Sequence, residues 1–161
     1  MREMIKVGMA DLNICSSPDA LTTLGLGSCV GVAVYDPAKK IAGLAHVMLP
    51  DSTAIKNNTN KAKFADTGIQ ILIEKMEAIG AARSRMVAKL AGGAKMFAFN
   101  NTSDLVRIGE RNIEASKKKL SELRIPVISE DVGLNYGRTV ELYSETGEFL
   151  IKAVGKTIKT I

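Results

Sequence analysis

The chain has 161 residues, of which 46% are hydrophobic and 24% are charged, and this composition is typical of a globular protein. A chain of this length buries roughly two-thirds of its unfolded surface, which suits one domain spanning residues 1–161. No stretch reaches the roughly 18 apolar residues of a membrane span, and no signal-peptide core follows the charged start. We therefore expect a cytoplasmic protein without membrane insertion. The net charge is +5, but the lysines and arginines are mostly scattered along the chain. This distribution does not indicate a nucleic-acid binder, in which basic residues usually cluster.

The N-terminal third of the chain reads as a series of short strands. Apolar and polar residues alternate at 12–15, which predicts a half-buried strand after which a turn leads into a second strand at 21–26. The run at 31–35 is apolar and β-branched, as in a buried strand. A turn at Asp36 and Pro37 then leads into an apolar run at 41–49, which predicts a hairpin.

The middle of the chain changes to helical periodicity. Residues 52–63 are polar and predict a mobile loop, and the apolar residues between 65 and 79 predict an amphipathic helix that Gly80 ends. A strand at 86–90 runs into a glycine turn at 91–94. A second helix is predicted over 108–123, with Ile113, Leu120 and Leu123 facing inward.

The last third returns to strands, which we predict at 127–129, 139–143 and 149–154. The residues at 145–148 predict a hairpin turn between the last two of them. The order of strands, helix, strand, helix and strands indicates one mixed α/β domain with helices layered on a sheet.

A glycine-rich segment near the end of the second predicted strand is the first candidate for chemistry. Cys29 lies between Gly27 and Gly31 there. Glycine lets backbone amides approach a ligand closely, so the backbone at Gly27 and Ser28 is a candidate for stabilising an oxyanion beside Cys29. The alternative is a bulged strand in which the cysteine is a small buried hydrophobe, and this segment alone does not separate the two.

His46 is the single histidine of the chain, so any histidine-dependent chemistry must use it. It lies in an apolar strand, where a histidine is more often a core residue than a catalyst. A strand pairing near Cys29 would bring its imidazole to the sulfur. A free thiol is only slightly ionised at neutral pH, and a neighbouring imidazole can remove its proton. Spacing alone leaves both interpretations open.

Metal and nucleotide sites are not expected. Cys15, Cys29 and His46 would supply three zinc ligands where four are normal, without Cys-x-x-Cys spacing. The glycine turn at 91–94 lacks the phosphate-loop pattern, and no Gly-x-Gly-x-x-Gly motif opens a helix. We predict no cofactor and no metal, and we expect Cys15 to contribute only packing.

Six motifs occur in order along the chain: VGMAD at 7–11, TLGLGSCVGVAVYD at 23–36, GLAHVMLP at 43–50, LAGGAKMF at 90–97, IGERNIEA at 108–115 and NYGRTVELYSETGE at 135–148. With these motifs the chain resembles the chemoreceptor glutamine deamidase (CheD) family. One departure is Leu134, where the family pattern leads us to expect a second glycine after Gly133.

The resemblance implies an enzyme that converts glutamine side chains of methyl-accepting chemoreceptors to glutamate and ammonia through a cysteine thioester. It assigns the catalytic residues as Cys29, His46 and Thr23, with Thr23 orienting the imidazole. It implies a three-layer α/β/β sandwich with a mixed sheet, similar to the catalytic domains of cytotoxic necrotizing factors. It also implies two partners, the cytoplasmic receptor helices and a CheC-type phosphatase.

Two other functions stay open at this point. A peptidase or a transglutaminase-like enzyme would use the same cysteine and histidine for acyl transfer to a different acceptor. A non-catalytic binding module that regulates a CheC-type chemotaxis phosphatase is the second alternative.

Overall fold

A computed structural model of the chain describes residues 1–96 and 107–161. Within these residues it contains two five-stranded sheets and two α-helices. The elements in chain order are β1 (Met4–Lys6), β2 (Leu12–Ser16), β3 (Ala20–Leu26), β4 (Val30–Asp36), β5 (Ile41–Val47), α1 (Ala65–Ala78), β6 (Val87–Gly92), α2 (Ile108–Glu122), β7 (Val127–Val132), β8 (Arg138–Tyr143), β9 (Phe149–Lys152) and β10 (Lys159–Thr160).

The central sheet has the strand order β2-β5-β4-β6-β7. Its two middle strands, β4 and β5, are antiparallel and every residue in them is buried, whereas β6 and β7 are parallel. Side chains alternate between the two faces of a strand, so Val30, Val32 and Val34 share one face of β4. On that face they pack with Ile69 and Leu72 of α1.

The second sheet has the order β1-β3-β8-β9-β10 and covers the other face of the central sheet. Ala33 and Leu44 of the central sheet share a core there with Leu21, Val140 and Phe149 of the second sheet. Helices, central sheet and second sheet therefore form three layers. This arrangement confirms the predicted α/β/β sandwich with mixed sheets, while the similarity to cytotoxic necrotizing factors stays a prediction.

The predicted elements are present, with shifted ends. β5 stops at Val47, short of the predicted end at residue 49, and β6 continues into the predicted glycine turn as far as Gly92. Gly92 has a φ of 102°, and a Cβ there would lie 2.3 Å from the carbonyl oxygen of Cys29, so only glycine permits this strand pairing. The sequence did not predict β1 or β10, which are short and lack alternation.

The polar segment at 52–63 contains two 3₁₀ turns, Ser52–Ala54 and Lys61–Lys63. Ser52 is buried and its hydroxyl donates to Asp66 of α1 at 2.7 Å.

Phe97, the last residue of the motif at 90–97, lies outside the described residues. Across the described ranges, neither helix has the length and apolar character that crossing a bilayer demands.

Asp36, at the end of β4, is fully buried and gives the fold a testable ionic contact. Its carboxylate accepts hydrogen bonds from Arg85 at 2.9 and 3.1 Å and from the amide of Ala82 at 2.9 Å. Burial alone would raise the pKa of this carboxyl, but Arg85 and the backbone amides hold the pKa below its ordinary value. The contact therefore stabilises the fold above about pH 4, and the contribution is lost as the pH falls through the lowered pKa.

We expect Asp36→Asn to lower the free energy of unfolding by about 1–3 kcal/mol, because the fully buried side chain loses its charge and its NH₂ group cannot accept the hydrogen bonds that Arg85 and Ala82 donate to the carboxylate. Urea unfolding at neutral pH measures this change. Glu77→Gln is the matched control, since its pair with Arg83 is exposed and should contribute less than about 1 kcal/mol. Equal effects of the two substitutions would contradict the importance of the buried contact.

Candidate active site

A hydrogen bond joins the two sheets at His46. His46 on β5 and Thr23 on β3 are both fully buried, and Nδ1 of His46 lies 2.7 Å from Oγ1 of Thr23. The same hydroxyl donates to the carbonyl oxygen of Val7 at 2.8 Å. A threonine hydroxyl has one hydrogen, and a carbonyl can only accept, so Thr23 accepts its second bond from the Nδ1–H of His46. The neutral imidazole therefore carries its hydrogen on Nδ1 and its lone pair on Nε2.

The other nitrogen of the ring, Nε2, is buried and has no hydrogen-bond partner among residues 1–96 and 107–161. Burial lowers the pKa of His46 below its ordinary value of 6.5, because a charged imidazolium is poorly solvated between the sheets. The ring is thus neutral at neutral pH and offers an uncommitted lone pair. These are the properties of a general base.

Cys29 immediately precedes β4 and lies on the same side of the central sheet as His46. The β4–β5 register pairs Gly31 directly with His46, which makes Cys29 the diagonal neighbour of His46 on that face. Diagonal neighbours on a sheet are roughly 7–8 Å apart between Cα atoms, and in this structure Nε2 of His46 makes no hydrogen bond with the sulfur of Cys29. Gly31 adds no side chain between them. The register thus brings the two predicted reactive residues to one side of the sheet.

The thiol of Cys29 is protonated at rest. The residue is 8% exposed, and burial raises the pKa of the thiol above its ordinary value, although a hydrogen bond from its own amide opposes the shift. A buried thiol of this kind supplies little thiolate at neutral pH. A thiol in this state needs a base that removes its proton before it can act as a nucleophile.

The backbone around Cys29 is held by hydrogen bonds to its carbonyl oxygens. The carbonyl of Gly27 accepts from the amide of Ala94 at 2.8 Å, and that of Cys29 accepts from the amide of Gly93 at 2.8 Å. Of the two predicted oxyanion donors, the amide of Gly27 is engaged with Gly25 at 3.0 Å. The hydrogen bonds of the described part of the chain give the amide of Ser28 no acceptor, so of the two amides it is the one available to donate.

A cavity of about 550 Å³ borders the same segment at Gly25. Tyr136, Arg138 and Val154 form part of its described lining, and the guanidinium of Arg138 lies 4.5 Å from the centre of the Tyr136 ring. Gly25 itself has a φ of 73°, the left-handed conformation that turns the chain toward Cys29. Within residues 1–96 and 107–161, no three His, Cys, Asp or Glu side chains lie close enough together to hold a metal ion.

Comparison with known proteins places the chain in a family. A family model described as CheD chemotactic sensory transduction matches residues 48–153, which is more than half of the chain. The chain belongs to the CheD family.

Individual CheD relatives match over the whole length. The probable chemoreceptor glutamine deamidase CheD of Lachnoclostridium phytofermentans is 63% identical over 161 residues, which cover 100% of both chains. The chemoreceptor glutamine deamidase CheD of Halalkalibacterium halodurans is 53% identical over 162 residues, again covering 100% of both. Among solved structures, the hypothetical protein YfiH of Bacillus licheniformis has a TM-score of 0.48 and 17% identity. The match covers 78% of this chain and 51% of that one.

The second cysteine of this CheD chain lies away from the imidazole. Cys15 on β2 pairs with Ala42, four residues along β5 from His46, which corresponds to roughly 13 Å. Burial raises the pKa of Cys15 to about 11, partly offset by a hydrogen bond with Ser144. Cys15 is therefore a buried thiol in the core between the sheets.

Two further residues at this site were not predicted as functional from the sequence of the CheD chain. Val7 supplies the carbonyl that fixes the hydroxyl of Thr23, and a backbone acceptor leaves no signal in the residue type. Asn112 on α2 contacts the carbonyl of Ser28. The sequence did contain a signal for Asn112, because this residue lies on the same buried face of the helix as Leu120. A polar side chain on a buried face needs a hydrogen-bond partner.

Proposed function

We propose that this chain is a protein-glutamine deamidase that converts specific glutamine side chains of methyl-accepting chemoreceptors to glutamate and releases ammonia. The single observation that carries the proposal is the buried His46, held by Thr23 in the tautomer whose free lone pair lies on Nε2, on the same sheet face as Cys29. The names of relatives that are 63% and 53% identical over their full length support the same substrate class.

The first half of the proposed reaction forms a thioester. Nε2 of His46 takes the proton of Cys29, and the thiolate attacks the carboxamide carbon of the substrate glutamine. Backbone amides beside Cys29, that of Ser28 among them, stabilise the oxyanion, and one such donor typically contributes about 3–4 kcal/mol. His46 then gives its proton to the leaving nitrogen, ammonia departs, and the acyl group stays on the sulfur.

The second half hydrolyses the thioester. His46, neutral again, removes a proton from water, and the resulting hydroxide attacks the thioester carbon. The tetrahedral intermediate expels the sulfur, which recovers a proton from His46, and a glutamate side chain is released. Thr23 accepts the Nδ1–H bond throughout and thereby keeps Nε2 aimed at the reacting atoms, a role that a carboxylate has in other triads.

The proposed partners are the cytoplasmic helices of the receptors, as substrate, and a CheC-type phosphatase. Family membership supports both proposals. A purified CheC-type phosphatase should co-elute with this chain in size-exclusion chromatography.

The test of the proposed function is direct product mapping. Purified protein is incubated with a receptor cytoplasmic fragment, and peptide mass spectrometry locates each glutamine that becomes glutamate. We expect conversion at specific glutamines in an intact fragment. Cleaved fragments would indicate a peptidase, and cross-linked fragments a transglutaminase-like enzyme. An unchanged fragment, with the phosphatase still bound, would support the non-catalytic binding module instead.

Thr23→Val tests the orienting role of the hydroxyl. Valine keeps the shape of the side chain but leaves the Nδ1–H of His46 and the carbonyl of Val7 without their shared partner. We expect kcat/KM for glutamine conversion to fall about 10- to 100-fold, since a buried hydrogen-bonding group left unpaired costs about 1–3 kcal/mol. Thr23→Ser, which retains the hydroxyl, should keep most of the activity. Wild-type rates in the Thr23→Val protein would remove Thr23 from the mechanism.

A further inference from the structure

We infer that Asn112 is a positioning residue for the deamidation proposed above, on which this inference rests. The side chain of Asn112 hydrogen-bonds both to the segment that carries the nucleophile and to the residue that follows the strand of the base, and so sets the alignment of Cys29 with His46.

The geometry of Asn112 joins those two segments directly. Its Nδ2 donates to the carbonyl oxygen of Ser28 at 3.0 Å and to that of Met48 at 2.9 Å. Ser28 immediately precedes Cys29, and Met48 lies two residues after His46. Both partners are carbonyls, which only accept, so the amide group has one possible orientation. The fully buried side chain is thus a fixed link between two backbone segments.

The helix that carries Asn112 is itself held close to the turn that follows β6. A Cβ on Gly109 would lie 2.6 Å from the carbonyl oxygen of Ala94, and a Cβ on Gly93 would lie 2.4 Å from Cγ1 of Ile113. The amides of Gly93 and Ala94 also hold the two carbonyls that flank Ser28 in the chain. Helix and turn therefore hydrogen-bond to three successive carbonyls of the nucleophile segment, and Asn112 also hydrogen-bonds to Met48, just after β5.

The side-chain oxygen of Asn112 does not take part in the link between the two segments. Oδ1 of Asn112 is buried and has no hydrogen-bond partner within the described ranges, which offsets part of what its two hydrogen bonds add to stability. We therefore expect the side chain to matter more for the alignment of the two segments than for the stability of the fold. Ser116, one helical turn further along α2, is equally buried and its Oγ also has no partner in those ranges, so it provides a matched control.

We expect Asn112→Ala to lower kcat for glutamine conversion about 10- to 100-fold, because a misplacement of about 1 Å between reacting groups costs on the order of 100-fold. KM should change less than about 3-fold, since Asn112 is fully buried and contacts no substrate. Asn112→Asp keeps the shape of the side chain but removes both donors, and it should lose at least as much. Ser116→Ala should keep wild-type kcat. Circular dichroism first establishes that each variant is folded at the assay temperature.

A readout without substrate separates positioning from a structural role. The rate of Cys29 alkylation by iodoacetamide is measured against pH, with the label located on the Cys29 peptide by mass spectrometry. We expect the profile of each folded Asn112 variant to shift toward that of His46→Ala, while the profile of Ser116→Ala overlays the wild type.

The outcomes distinguish the two proposals. A folded Asn112 variant with wild-type kcat and a wild-type alkylation profile would overturn the positioning role. If the wild-type protein converts no glutamine but the Asn112 variants still shift the profile, the proposed function fails and the positioning of the cysteine–histidine pair stands.

Discussion

We expect the Cys29→Ala protein to convert no measurable receptor glutamine, a loss of at least about 10⁴-fold in kcat. In the proposed mechanism the thioester forms on the sulfur of Cys29, so removal of the sulfur leaves only the stabilisation of the oxyanion by the backbone. Substrate binding should persist, because the variant changes one small side chain that is 8% exposed. Peptide mapping of the receptor fragment measures the conversion, and co-elution with the fragment measures the binding.

Cys15→Ala is the matched control for this experiment. Cys15 is a thiol of similar burial in the same core between the sheets, but it pairs with Ala42, far along β5 from the imidazole. The Cys15→Ala protein should convert glutamine at close to the wild-type rate. Undiminished conversion by Cys29→Ala, or loss of conversion in Cys15→Ala alone, would show that the nucleophile has been assigned to the wrong residue.

The second large effect is expected for His46→Ala, which should lower kcat about 10³-fold, within the range that general acid–base catalysis contributes. In the proposed mechanism this variant loses both the base that activates Cys29 and the acid that protonates ammonia. Its residual rate should rise with pH, because it depends on spontaneous ionisation of a thiol whose pKa burial has raised.

The pH dependence of kcat/KM in the wild-type protein provides a second test of the role of His46. The proposed mechanism requires neutral His46, so we expect kcat/KM to fall as the pH drops through the pKa of that imidazole. Burial lowers this pKa, and the acid limb should therefore lie below pH 6.5. In His46→Ala we expect this limb to be replaced by a rise that continues up to the raised pKa of the Cys29 thiol, and a limb that persisted unchanged below pH 6.5 would show that some other group is the base.

Alternation and helical periodicity are local signals, so the sequence patterns predicted both helices and most strands, whereas the three-layer α/β/β arrangement was expected only from the family resemblance. The patterns placed β4 and β5 as a hairpin, and the register of that hairpin puts Cys29 and His46 on one face. Two edge strands, β1 and β10, escaped prediction because three and two residues carry no period. The β1–β3 pairing matters, since β1 leads directly to Val7, whose carbonyl fixes the Thr23 hydroxyl.

The hydrogen bond between Thr23 and His46 was expected only from family resemblance. It crosses from one sheet to the other, and no pattern within a single strand specifies which residues meet when two sheets pack. The orientation of Asn112 has the same origin in the packing of α2 against the end of the central sheet. Contacts between layers were thus the part that local reasoning did not supply.

The structure explains why a glycine is expected at position 134, where this chain has a leucine. Leu134 has a φ of 62° and follows Gly133 with a φ of 78°, so two successive residues are in the left-handed conformation. That conformation favours glycine, and a leucine in it costs on the order of 1–2 kcal/mol. The glycine expected at this position is what the backbone prefers, and this chain holds a leucine there that is 62% exposed.

The protonation state of His46 tests the catalytic account most directly, and the single histidine of the chain makes it accessible. Protein labelled with ¹⁵N in histidine alone gives the nitrogen spectrum of one imidazole across a pH titration. We expect a neutral ring at neutral pH, with its hydrogen on Nδ1, an unprotonated Nε2 and a pKa below 6.5. A hydrogen on Nε2, or an imidazolium at neutral pH, would contradict it.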